Sequence, residues 1–143
     1  MNAEGLRAVQ GPIKQAYRSA PDSAQVTSRV ALRLEPDRIA VRLSDRASAA
    51  GLHPSTGGTG EFACSADLLL ESVAACAGVT LLAVATATSV PITGGRIIAE
   101  GLWDARGTLG VDKAVPVGIQ KIRLSFELTG GADLSACERL VGT

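Results

Sequence analysis

From Ser72 through Gly95 the chain carries no charged residue, although charged residues make up 20% of the whole. A stretch like this has to be shielded from water, in a bilayer, in a protein core or between subunits. A cysteine, Cys76, sits near its start in Ala74-Ala75-Cys76-Ala77-Gly78-Val79-Thr80. Its thiol is either inert packing or a site sheltered from bulk water, and the function of the chain turns on which.

About 20 apolar residues span a bilayer. Here the run is mostly Ala, Thr, Ser, Val and Gly, with Leu81 and Leu82 its only large aliphatics before Pro91 closes it. Ser and Thr give little drive for insertion, so no membrane span is expected. Small residues let helices approach closely, which suits a helix–helix interface.

At 143 residues the chain is read as one domain over residues 1–143, with a core of its own. Lys and Arg balance Asp and Glu, 14 against 14, so no net field recruits nucleic acid or an anionic membrane. Aromatics are 3% of residues, too few for a base-stacking platform. The opening Met1-Asn2-Ala3-Glu4-Gly5-Leu6-Arg7 shows no basic segment followed by an apolar one, so no signal peptide is read there. Cys64, Cys76 and Cys137 are odd in number and widely spaced, without a CxxC pair or zinc spacing. The expectation is a cytoplasmic protein with free thiols, no metal and no cofactor.

Periodicity divides the chain. Leu6, Val9, Ile13 and Tyr17 have helical spacing over residues 2–18, interrupted at Gly11-Pro12 and ended by Pro21-Asp22. From Gln25 to Leu34 the period drops to two, with Val26, Val30, Leu32 and Leu34 opposite Thr27, Arg29 and Arg33. Pro36-Asp37 is a turn, and Ile39, Val41 and Leu43 alternate with Arg38 and Arg42. These two strands make a hairpin with a basic, solvated face. Residues 44–63 read as a long loop. Ser65 is the expected N-cap, with Asp67 in the first turn, of a helix running to about Thr88, roughly 35 Å long. Strands follow at 96–106 and 119–128, the second with Ile122, Leu124, Phe126 and Leu128 inward. A loop separates them, and Asp133 caps a final helix. Strands, a buried helix, more strands and a helix make an α+β fold.

Few residues can carry chemistry. Gly57-Gly58-Thr59-Gly60 lacks the Lys-Ser/Thr of a phosphate loop and reads as a flexible turn. His53, the only histidine, reads as a turn element before Pro54; a Cys-His hydrolase would need it beside a cysteine. Cys64 and Cys137, at helix edges, read as packing residues. Cys76 has Ser72 and Thr80 at i−4 and i+4, so both hydroxyls share its helical face. Activating a thiol takes a helix N-terminus or a nearby cation. Cys76 lies about three turns into its helix, so an arginine has to come from elsewhere. Without one, the thiol is inert.

Ser65-Ala66-Asp67-Leu68-Leu69-Leu70-Glu71-Ser72-Val73-Ala74-Ala75-Cys76 resembles the helix motif of the OsmC/Ohr superfamily, the osmotically inducible and organic hydroperoxide resistance proteins. Those sequences read roughly Pro-x-Glu-Leu-Leu-Leu-Ala-Ala-Leu-Ala-x-Cys. The approach from Gly51 to Gly58 and the segment Arg106-Gly107-Thr108-Leu109-Gly110-Val111 look like an OsmC-like subgroup, and the order of elements agrees from about Gln25 onward. The resemblance implies antiparallel sheets wrapped around long central helices in an intertwined homodimer. It implies that Cys76 is peroxidatic: its thiolate attacks a hydroperoxide, becomes a sulfenic acid and condenses with a second cysteine, which thiols then reduce.

The chain departs from that pattern in three places. The glutamate ten positions before the cysteine in the hydroperoxide branch is Ala66 here. The family's helper arginine comes from an N-terminal loop, for which Arg18 is the candidate. Cys137 comes too early in the last helix to match the family's second cysteine, and the C-terminal end of the family domain would lie beyond Thr143. The reading is a thiol peroxidase with Cys76 and Arg18 at its site, working as a homodimer on a hydroperoxide with a thiol reductant. The alternative is a non-catalytic dimer on the same scaffold, binding a small apolar ligand in a crevice beside Cys76.

Overall fold

Pro12 does not break the first helix. The computed structural model describes residues 3–38, 40–42 and 50–142, and α1 runs without interruption over Ala3–Ser19 with Pro12 inside it. A proline there removes one hydrogen bond, to the carbonyl four residues back. The face that carries Leu6, Val9, Ile13 and Tyr17 survives, and Tyr17 is buried.

The order of elements is that of an α+β protein. After α1 come a 3-10 turn at Pro21–Ala24, β1 (Gln25–Glu35), a 3-10 turn at Pro36–Arg38 and β2 (Ala40–Arg42). Then follow β3 (Ala50–Gly51), a 3-10 turn at Pro54–Thr56, β4 (Ala63–Cys64) and α2 (Ser65–Ala87). The chain ends with β5 (Ile92–Asp104), α3 (Ala105–Thr108), β6 (Ile119–Gly130) and α4 (Leu134–Val141). The antiparallel sheet has the strand order β2-β1-β5-β6, and β3 pairs in parallel with β4. The β1–β2 hairpin sets Arg33 opposite Arg42 and Leu34 opposite Val41. Leu32 and Leu34 are buried and Arg29 and Arg33 exposed, as the alternation predicts. Ile39 and Leu43, and the side chains of Arg38, Val41 and Arg42, lie outside the described residues.

The chain divides into two compact units: residues 1–28, 45–68 and 100–122 form the first, and 29–44, 69–99 and 123–143 the second. The first has a core of Tyr17, Ala24, Trp103 and Ala105, flanked by Ile13, Val26, Leu109 and Ile119. Two polar pairs organise it. The Trp103 indole N–H donates to Ser28 Oγ at 3.1 Å, so neither polar group is left bare in the interior. Arg106 is paired with the buried Asp104 through its guanidinium at 2.6 Å, and Gln25 Nε2 donates to the same carboxylate at 2.6 Å. The second unit buries Leu32, Leu34, Leu70, Ala74, Leu81, Leu82, Ala85 and residues 97–99.

Four sequence expectations change. Ser65 is not the N-cap but the first helical residue. Cys64 takes the cap position, and its own N–H donates to Asp67 Oδ2 at 3.1 Å. That is the backward-reaching half of a capping box, with an aspartate in the role of the usual Glu or Gln. Residues 50–64 are not one loop, because two short strands and a 3-10 turn are built from them. The strand expected at 96–106 begins at Ile92 and gives way at Asp104, whose carboxylate caps the single helical turn α3. Finally, Ile122 and Leu124 on β6 are exposed. Alternation says which residues share a face; burial needs something to cover that face, and the chain alone leaves these two open.

Candidate functional site

Cys76 is exposed. Up to Ala87 the uncharged run lies in one long helix, α2, but only one side of that helix is covered. Leu70, Glu71, Ala74, Gly78, Leu81, Leu82 and Ala85 are buried. Leu69, Ser72, Cys76, Val79, Thr80, Ala83 and Thr86 are exposed and recur at the spacing of one helical face. Leu69 is 50% exposed and Val79 41%, more than a solvated helix face has reason to show. Thr86 turns its hydroxyl back onto the Leu82 carbonyl at 2.8 Å, which spends the polar group inside the helix. So Ser72 and Thr80 flank the thiol on its face, as the sequence predicts, while the shelter expected around that face is not provided by the single chain. By length and composition α2 could also cross a membrane; the buried Glu71 on its other side is the one charge in its central part.

Arg18 lies in the last turn of α1, in the first unit, and is exposed. It borders a cavity of about 190 Å³ with Tyr17, Pro21, Arg106, Val111 and Asp112. Arg106 is committed to Asp104. Among the described residues no carboxylate is within salt-bridge distance of Arg18, so its guanidinium is available to an incoming anion. The structure gathers Arg18 with Arg106; Cys76 belongs to the second unit.

Cys137 is half-buried on α4, where it lines a groove of about 550 Å³ with Leu124, Phe126, Leu128, Leu134 and Val141. Asp133 caps that helix as expected, accepting from the Ala136 N–H at 2.7 Å. Among the described residues no group of three or more His, Cys, Asp or Glu is placed to hold a metal ion.

The sequence marks His53 and Cys64 as turn and packing residues, and the structure gives them more. Both line one cavity in the first unit, together with Ala66, Trp103, Val117 and Ile119. The turn that carries His53 is pinned, not flexible. Tyr17 Oη donates to the Ser55 carbonyl at 2.8 Å and Gln10 Nε2 to the Thr56 carbonyl at 2.9 Å, both from α1. A Cβ on Gly58 would sit 1.7 Å from the Leu52 carbonyl oxygen, so only glycine fits there. The missed signal is His53-Pro54: an extended residue before a proline at the first helical position is an N-cap. His53 fills that role with its ring, Nδ1 accepting from the Ser55 N–H at 3.1 Å. Burial pushes the Cys64 thiol up from its ordinary value, and the N–H groups of Asp67 and Ala66 offset this only in part.

The family model for OsmC-like protein matches residues 58–142. This chain is an OsmC-like protein. The match takes in Cys76 and the whole of α2, and the antiparallel sheet with its long central helix agrees with that fold. Membership points to peroxide- or stress-related chemistry without fixing a particular reaction. A search of curated proteins finds no match.

Proposed function

We propose that this OsmC-like protein is a cytoplasmic thiol peroxidase whose peroxidatic residue is Cys76, acting as a homodimer. One observation carries the reading. The cysteine that the family motif places on α2 stands between Ser72 and Thr80 on an uncharged helix face that its own chain leaves uncovered, so the second copy forms the other wall of the site.

The thiolate is the nucleophile. Its sulfur attacks one oxygen of the hydroperoxide, the O–O bond breaks, and the second oxygen leaves as alkoxide and takes a proton to become an alcohol. Cysteine is oxidised to sulfenic acid by two electrons. Arg18 is assigned to the developing negative charge as the counterpart of the family's N-terminal arginine, and it is not held by a carboxylate among the described residues. Cys137 sits in an apolar groove of its own, so an external thiol is the reductant: one thiol displaces water from the sulfenic acid to give a mixed disulfide, and a second releases Cys76 and leaves as the oxidised partner. The Leu69–Thr86 stripe and the open β6 residues supply the surface that a second copy covers.

A second reading, a non-catalytic dimer on the same scaffold, is favoured by Ala66, where the hydroperoxide branch carries a glutamate. Peroxide consumption separates the two. With cumene hydroperoxide and a dithiol, Cys76→Ser abolishes turnover, whereas Cys64→Ser and Cys137→Ser retain the first oxidation. A wild-type protein that consumes no peroxide supports the binding protein instead.

A further inference from the structure

The cavity around His53 has the features of a small-molecule site that is separate from Cys76. Its volume is about 220 Å³. A dry cavity of about 150 Å³ lined by aliphatic and aromatic side chains takes up benzene, so this one has room for a single ring with a short substituent. Leu52, Ala66, Val117, Ile119 and the Trp103 ring supply an apolar wall. Polar groups are few: Thr56 Oγ1 donates to the His53 carbonyl at 2.9 Å, the Trp103 N–H is spent on Ser28, and Ser65 and Thr108 also border the cavity.

The imidazole is the group whose donor is fixed by its surroundings. A backbone N–H can only donate, so the Ser55 N–H at 3.1 Å makes Nδ1 of His53 the acceptor. Ser55 Oγ lies 2.7 Å from the same nitrogen. In the neutral ring the proton is therefore on Nε2. The ring stands edge to face with Trp103, centroids 5.2 Å apart and planes at 88°. The loop behind it is tied to α1 at two carbonyls, so the donor is held in place before a ligand arrives. Cys64, with its thiol kept protonated by burial, is a soft apolar wall here and not a nucleophile.

We infer that this cavity binds a small, neutral, single-ring molecule bearing one hydrogen-bond acceptor, such as an aryl ketone, with the acceptor on His53 Nε2–H and the ring against Trp103. A mostly apolar pocket with a few polar groups, one of them held in place, is the general form of a small-ligand site. This goes beyond the peroxidase reading and does not depend on it.

Trp103 is the only tryptophan, so the ¹⁵N-labelled full chain gives one indole N–H signal, already assigned. Acetophenone titrated into the wild-type protein should shift that signal saturably. Ethylbenzene, of nearly the same shape but without the acceptor, should bind roughly five- to tenfold more weakly, the worth of one hydrogen bond. His53→Asn keeps an N-cap acceptor for the Ser55 N–H and removes the Nε2 donor; it should bring acetophenone down to the ethylbenzene level. Ala66→Leu should fill the cavity and abolish both shifts, with the amide spectrum reporting that the fold is kept. No saturable shift with either compound, or equal affinities of wild type for the two, overturns the site. Acetophenone binding to a folded His53→Asn variant with wild-type affinity overturns the role of His53.

Discussion

Cys64 and Cys76 lie a dozen residues apart, and their surroundings differ in kind. Cys64 is capped into the start of α2, with burial holding its thiol protonated; Cys76 is out on a helix face. Alkylation needs the thiolate and access to it. Cys64 should thus be the slowest of the three cysteines to react with iodoacetamide at neutral pH, read by peptide mass spectrometry; Cys64 labelled ahead of the others contradicts its buried cap position. Asp104 makes a second test at this scale. The Arg106 side chain holds its carboxyl below the usual carboxylate range, against the upward push of burial. A depressed folded-state pKa gives stability that is complete above the unfolded value, about 3.9, and is lost as pH falls through the folded value. Asp104→Asn should therefore melt below wild type at neutral pH, and the gap in Tm should close as pH falls below about 4. A gap that stays constant down to pH 2 would show that the ion pair contributes nothing.

The hairpin, α2 and the Asp133-capped helix were legible in the sequence because each rests on a local pattern: a period of two, a long uncharged run, an aspartate three residues ahead of a backbone N–H. What was not legible depends on partners distant in sequence. Nothing near His53 announces that Tyr17 and Gln10 will pin its turn, and nothing in β6 announces that Ile122 and Leu124 will lack cover. The end of α2 is a further case. Ser89 has φ 56°, its N–H reaches the Thr86 carbonyl at 3.2 Å, and the Val90 N–H reaches the Ala85 carbonyl at 2.9 Å. This is the Schellman arrangement, in which glycine usually fills the left-handed position. A non-glycine residue there carries a steric cost of roughly 1–2 kcal/mol, so Ser89→Gly should raise stability by about 1 kcal/mol in urea melts. A loss of stability would mean that the Ser89 side chain makes a contact worth more than the strain.

At the scale of the molecule, the Leu69–Thr86 stripe, open β6 and the groove holding Cys137 leave several large apolar side chains uncovered, and such surfaces commonly mark interaction sites. A homodimer covering these faces should bury more than about 2,000 Å². It should persist at micromolar concentration in light scattering, and Val79→Glu, a charge in mid-stripe, should dissociate it; a wild-type monomer at that concentration refutes the assembly. The proposed reaction at Cys76 is open to a direct test. The most direct measurement treats the full chain with less than one equivalent of cumene hydroperoxide in the presence of dimedone and locates the adduct by mass spectrometry. The peroxidase reading predicts the adduct on Cys76 ahead of Cys64 and Cys137, and loss of adduct formation in Cys76→Ser. Oxidation of Cys64 or Cys137 first, with Cys76 untouched, contradicts it.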